Sequence, residues 1–284
     1  MIEYFECPGG DIVPVKECLE GNCPHPCLTL PTRRFASKCR VWDGKTFSVT
    51  QLLQPTLHEY LKITCPEIVS PMSTLQAGLG TAGHALMEGN IGRGEVGEFR
   101  MIDKTGRITG QPDLVDLNHH ILYDMKFVAA FSLSRMLGMK SEGYSHTITR
   151  GPRKGQTEYR FRYVEGGEPD YHGYDWQTNM YRLLLKESGI QIDRIILQVT
   201  AKESDSALKQ LGLDRRSYMI EIPIYDDDIV YKKFYDSYNR LKTALDTKTM
   251  PPKCEETWNN DIRCKRYCSV NKYCPYYKKE GFSW

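Results

Sequence analysis

No stretch of the 284-residue chain approaches the roughly 18 consecutive apolar residues that a bilayer-spanning helix needs, so no helical membrane span is expected. The opening MIEYFECPGG has neither a basic leader nor an apolar h-region, and with the first absence this reads as a cytoplasmic protein without a membrane partner. Strong charge of one sign is also lacking. Lys and Arg number 38 against 36 Asp and Glu, and a net charge of +2 says little about partners by itself. No internal repeat is visible, which excludes solenoid and propeller architectures.

Cysteine is abundant. There are ten, and in a cytoplasmic chain thiols stay reduced, so metal ligation explains them better than disulfides. At the N-terminus CPGGDIVPVKECLEGNCPHPC offers Cys7, Cys18, Cys23 and Cys27, with His25 as a replacement ligand. Tetrahedral Zn2+ is the natural reading, because it would order a segment too small to fold on its own core; unligated reduced thiols are the alternative. In the tail, PPKCEETWNNDIRCKRYCSVNKYCPYY gathers Cys254, Cys264, Cys268 and Cys274, enough for a 4Fe-4S cluster or Zn2+. Lys253, Arg263, Lys265, Arg266 and Lys272 would offset the negative charge of such a thiolate site.

The pattern between these ends predicts mixed secondary structure. SVTQLLQPTLHEYLK reads as one helix from an N-cap at Ser48, with Pro55 in its first turn and Leu53, Leu57 and Leu61 on one face. STLQAGLGTAGHALMEG reads as a second, glycine-rich helix. Residues 97–127 read as three strands of an antiparallel meander, with turns at Lys104-Thr105-Gly106 and near Asn118. A polar insertion, 128–172, contains RGPRKGQTEYRFR, five basic residues with Tyr159 and Phe161 interleaved, which suits a nucleic-acid backbone or a solvated loop. A helix at DWQTNMYRLLLKES, strands at IDRIILQVTA and SYMIEIPI, and a long helix stopping before Pro251 and Pro252 follow. The expected organisation is a zinc-binding cap over 1–47, a core over 48–250 and a cysteine-cluster tail over 251–284.

Chemistry concentrates in GQPDLVDLNHHILYDMKF, residues 110–127. A hairpin turning on Asn118 and His119 pairs Val115 with Leu122 and sets Asp113 opposite Asp124. Directly opposed side chains have Cβ atoms about 5 Å apart. Two carboxylates there repel by roughly 3 kcal/mol at an effective dielectric near 20. A divalent cation would remove that penalty. Lys126 points to the same strand face as Asp124. Two carboxylates holding a hard metal beside an ammonium suit phosphodiester hydrolysis. A surface salt bridge of Lys126 with either aspartate is the competing account.

GQPD, ten intervening residues and DMK resemble the signature of the PD-(D/E)XK nuclease superfamily. GTAGHALME, with His84 and Glu88, and QTNMY, with Gln177 and Tyr181 on one helix face, resemble its RecB-type branch. The resemblance covers roughly residues 48–275. It implies an α/β (α+β) fold: a restriction-endonuclease-like core, a mixed central sheet flanked by helices, with the cysteine-rich segments metal-bound at either end. It further implies His84, Asp113 and Asp124 as metal ligands, with the Phe127 carbonyl or waters completing the shell. Lys126 becomes the catalytic lysine, with Gln177 and Tyr181 positioning it or the strand. A histidine ligand would favour Mn2+ over Mg2+. Glu88 is a secondary candidate, while Glu98 and Asp116 read better as solvated strand positions.

The tail resembles the iron-sulfur staple of RecB-type and CRISPR-associated adaptation nucleases. Those relatives take their first cysteine from a Cys-Pro pair, whereas this chain has Gln54-Pro55. Cys254 is the substitute, with Cys39 or Cys65 as alternatives, and the spacing favours a structural over a redox-active cluster. The expected activity is a metal-dependent exonuclease or end-processing nuclease acting on single-stranded DNA or duplex ends, with a helicase or a recombination or CRISPR component as partner. The alternatives are a DNA-binding or complex-forming subunit that keeps the fold without turnover, and a restriction-type endonuclease.

Overall fold

The computed structural model describes residues 2–21, 23, 26–38, 42–257 and 259–277, with the side chains of 76, 77, 79 and 259 left aside. His25 and Cys39 lie outside the described residues. The chain begins with β1 (Ile2–Glu6), β2 (Ile12–Pro14), α1 (Val15–Leu19), α2 (Leu30–Ala36), β3 (Phe47–Ser48), α3 (Val49–Leu52), α4 (Thr56–Thr64), β4 (Glu67–Val69) and α5 (Pro71–Glu88). It continues through β5 (Glu95–Gly97), β6 (Met101–Ile102), β7 (Ile108–Gly110), β8 (Leu114–Asp116), β9 (Ile121–Val128), α6 (Ala130–Met136), β10 (Lys140–Thr147) and β11 (Thr157–Val164). It closes with α7 (Tyr174–Glu187), β12 (Arg194–Ala201), α8 (Asp205–Gln210), β13 (Ser217–Ile222) and α9 (Asp227–Thr247).

These elements form two compact units, one of residues 1–89, 100–110 and 226–284, the other of 90–99 and 111–225. In the first, β1 pairs antiparallel with β2 and parallel with β4, so the cysteine-rich N-terminus shares a sheet with a strand some sixty residues on. Ile2, Phe5, Cys18 and Ala36 form its small core. The helix expected from Ser48 is two helices. Ser48 caps α3 through a capping box with Gln51, and α4 starts afresh after Pro55, whose missing N–H and fixed φ suit a helix entry better than an interior. Both pack on α9, burying Leu52, Leu57 and Leu61 in the same unit as Phe234 and Leu241. Asp226 caps α9 by accepting from the Asp228 and Ile229 amides, and Lys248, at φ 53, ends it.

The second unit holds a mixed five-stranded sheet of order β13-β12-β9-β8-β5. β9 and β12 are parallel and the other pairs antiparallel, so β9 is the central strand. Helices α6 and α7 pack on β12 and β9, with Leu122, Leu133, Met180, Leu183, Leu184 and Leu197 fully buried. This is a mixed α/β fold with helices on its central sheet. The expected meander is interrupted. β6 and β7 pair in a sheet with β3, while β8 and β9 pair in the five-stranded sheet, and Gln111-Pro112 separates them because proline cannot donate to a continuing ladder. No helix among the described residues is long and apolar enough to cross a membrane.

Candidate active site

The hairpin of β8 and β9 has the expected register: Leu114 pairs with Tyr123, Val115 with Leu122 and Asp116 with Ile121. The ladder stops one position short of Asp113 and Asp124. Asp113 instead bends its carboxylate onto β9, where Oδ2 accepts the Met125 amide at 2.6 Å. This fixes Asp113 beside the central strand without requiring the two carboxylates to stand face to face.

Asp124 is fully buried, and the Lys126 ammonium lies 2.5 Å from its Oδ2, with side-chain exposures of 1% and 15%. Burial pulls the lysine pKa down, but the carboxylates of Asp124 and Asp113 together outweigh it and hold the ammonium well above its ordinary range. The salt bridge is therefore real, and it is buried rather than superficial. Paired in this way, Lys126 is held in its ammonium form, as a charge donor rather than a proton acceptor.

Helix α7 supplies the wall opposite. Lys126 Nζ sits 4.8 Å from the centre of the Tyr174 ring, a cation–π contact. Gln177 Nε2 donates to the Tyr181 hydroxyl at 2.8 Å, and both are buried. Burial, then the Asp124 charge, push the Tyr181 phenol up to about 12, so it stays a neutral hydroxyl. Positions 174, 177 and 181 are spaced i, i+3, i+7, one face of a helix. Tyr174 was overlooked in the sequence although that spacing marks it.

Glu98, expected as a solvated strand position, lies just past the end of β5. It is half-buried, its amide donates to the Asp113 carbonyl at 3.3 Å, and a carboxylate oxygen lies within 4.8 Å of one of Asp113. Its φ of 37 is in the left-handed region, a strained conformation for a residue with a Cβ. Asp116 is turned away from this cluster: it accepts from the Asn118 and His119 amides and the His119 ring, closing the hairpin turn. His84 and Glu88 lie on α5 in the first unit, His84 half-buried and Glu88 exposed. Phe127 follows Lys126 on β9.

Both cysteine groups belong to the first unit. Cys7, Cys18, Cys23 and Cys27 line one cavity of about 390 Å³ together with buried Arg33. Arg33 donates to the Cys18 carbonyl at 2.6 Å and to its sulfur at 3.5 Å. Burial and then the neighbouring cysteines push the Cys7 thiol up. In the tail, Cys254, Cys264 and Cys274 line a pocket of about 20 Å³. Burial and mutual repulsion raise the thiols of Cys254, Cys264 and Cys268, while backbone amides of His58 and Val270 donate toward Cys254 and Cys268. Cys65 ends α4, its sulfur 4.0 Å from the Thr64 hydroxyl. Of the basic residues near the tail, Lys253 and Arg263 act on the Cys264 thiol, whereas Lys272 is paired with Glu6 at 3.0 Å. Arg263 also donates to Gln54 at 3.1 Å, so the Gln54-Pro55 position stands beside the tail. Among the described residues no three sulfurs of either group come within 4.8 Å of one another.

No protein-family model and no curated protein matches the chain. Among solved structures, a phage related exonuclease from Haemophilus somnus 129PT aligns at 14% identity and a TM-score of 0.35, over 61% of this chain and 69% of that one. The functional reading that follows rests on the geometry of this chain.

Proposed function

We propose that the chain is a metal-dependent DNA nuclease of the RecB-like type, an exonuclease or end-processing enzyme. The observation that carries this reading is the buried Asp124–Lys126 pair on the central strand, with Asp113 tied to the same strand through Met125. The carboxylates of Asp113 and Asp124, with Glu98 near the first, are hard oxygen donors and fit Mn2+ or Mg2+. A divalent ion bound there would supply an activated water and a hold on phosphate oxygens. Lys126, a permanent cation, would stabilise charge developing on the phosphoryl oxygens or orient the attacking water. Tyr174 would help to direct the ammonium, with the Tyr181 hydroxyl, held by Gln177, near it.

Four thiols in each cysteine group are a suitable donor set for metal. Backbone amides aimed at Cys254 and Cys268, and the Arg33 guanidinium at Cys18, are the second-layer donors such thiolates need. The tail would take a 4Fe-4S cluster or Zn2+, and the N-terminal group Zn2+. A Zn–S bond of about 2.3 Å puts tetrahedral sulfurs about 3.8 Å apart, so zinc would draw them inward. Visible absorption and metal content of anaerobically purified protein test both sites: a brown, iron-containing protein supports the cluster, and a colourless one with zinc supports zinc throughout.

The nuclease reading is tested on end-labelled single strands and blunt duplexes with Mg2+ or Mn2+. Asp113→Asn keeps an acceptor for the Met125 amide but removes a charge, and Lys126→Ala removes the cation. Both are expected to abolish cleavage while DNA binding survives. Undiminished cleavage by either variant refutes the assignment.

A further inference from the structure

The basic insertion is a two-stranded ribbon. β10 and β11 pair over their whole length, from Lys140 opposite Val164 to Thr147 opposite Thr157. Sequence alone merges its aromatic and basic residues into one patch, but strand alternation sorts them onto opposite faces. One face carries Glu142, Tyr144 and His146 against Arg162, Arg160 and Glu158. There Arg162 donates through Nε and Nη2 to one carboxylate oxygen of Glu142 and lies 5.5 Å from the Tyr144 ring centre.

The other face carries Tyr159, Phe161 and Tyr163, and the residues opposite are Ser145, Gly143 and Ser141. Small partners leave the rings uncovered: Tyr159 is 67% and Phe161 69% exposed. Their rings meet at 89° with centroids 5.3 Å apart, a corner with one face to stack on and a second ring beside it. Tyr159 lies across Gly143, where any Cβ would collide with its ring. An exposed aromatic pair held over glycine and serine is poorly explained as packing.

We propose that this face stacks the unpaired bases of single-stranded DNA, so that the ribbon is the strand-holding element of the proposed nuclease; the inference rests on that reading for its substrate class. Charge argues for a polyanion. Between residues 140 and 164 there are six Lys and Arg (140, 150, 153, 154, 160, 162) against two Glu (142, 158), a local charge of +4 on a chain whose total is +2. Arg150, Arg153 and Lys154 stand exposed at the tip. Flat rings on one face of a ribbon with a basic tip are what sequence-tolerant single-strand binding uses, whereas a duplex buries its base faces in its own stack.

The experiment titrates full-length protein, without added divalent metal so that the strand is not consumed, with oligothymidylate and with a blunt DNA hairpin closed by a base-free linker. Tyr159→Ala with Phe161→Ala is expected to raise the single-strand Kd about tenfold or more and to leave hairpin affinity within about twofold. Phe161→Trp should keep the affinity and show quenched emission on binding. Unchanged single-strand affinity in the alanine pair, an equal loss on hairpin, or an unquenched tryptophan overturns the proposal. So does tighter binding of the matching ribo-oligonucleotide. Absent cleavage with intact quenching would end the nuclease reading alone, and intact cleavage without quenching would end this one alone.

Discussion

Lys126→Met tests the electrostatics of the candidate site most directly. The ammonium lies 2.5 Å from Asp124 Oδ2, and that carboxylate is only 1% exposed. At an effective dielectric near 20 the attraction is about 6–7 kcal/mol, most of which offsets the desolvation of the two ions. Removing the lysine leaves that desolvation uncompensated, so the variant should lose about 3–5 kcal/mol of stability. Asp124→Leu with Lys126→Met removes both charges and should recover most of the loss. The assay is urea unfolding by circular dichroism at several pH values. A lysine pKa raised in the fold contributes stability that is complete below its unfolded value, near 10.4, and is lost as pH rises through the folded value. In the parent this contribution is flat from about pH 6 to 9, whereas in the variant the buried, unpaired Asp124 carboxylate takes up a proton more readily, so the deficit should shrink as pH falls. A single variant within about 1 kcal/mol of parent at pH 9 would refute the reasoning, as would a deficit that grows as pH falls.

Four other outcomes follow from the same physics. Tyr181→Phe removes the acceptor of the buried Gln177 amide and should destabilise by about 1–3 kcal/mol by the same assay. Asp103 is buried, and donors from Thr105, Tyr235, Arg107 and Ile108 overcome the effect of burial to hold its carboxyl below the usual range. Asp103→Ala should therefore be destabilising at neutral pH, with a deficit that shrinks as pH falls through the folded value, measured by unfolding from pH 7 downward. The raised thiols of Cys254, Cys264 and Cys268 make the metal-free protein lose stability as pH rises through 9.0, the ordinary thiol value, while metal-loaded protein should instead release metal on acidification, read by a chromogenic chelator. Lys126→Met should bind Mn2+ about tenfold or more tightly than parent, because a cation that competes for Asp113 and Asp124 is gone; weaker binding by calorimetry would refute this.

What could be read from sequence was local. The pairing of Val115 with Leu122 follows from a turn at Asn118 and two alternating runs, and the α9 boundaries follow from acids at 226–228 and Pro251. What was missed depends on partners distant in sequence or on a single backbone constraint. The parallel pairing of β9 with β12 makes β9 central, and nothing within 110–127 announces it. β4 completes the N-terminal sheet from beyond four helices. Pro55 splits one expected helix, and Gln111-Pro112 ends the expected meander. Glu98 was dismissed because alternation says nothing of a residue at φ 37 just past a strand end. The ribbon was legible as basic and aromatic, but only the register separates those properties into two faces.

Facing aspartates do not by themselves require a divalent ion here, because Lys126 already neutralises Asp124 and Asp113 accepts a backbone amide. Electrostatic necessity therefore does not by itself demand a metal. The stronger argument is position. An ion pair in the middle of a five-stranded sheet is a poor way to gain stability, since well-packed apolar residues of similar volume do as well or better. On the proposed reading, Asp113 and Asp124 would hold a divalent ion supplying the charge that Lys126 now supplies to Asp124, and the ammonium would then be available to a phosphate. A folding role for the pair demands that it stay closed in every state, and a catalytic role demands that it open when metal and strand arrive together.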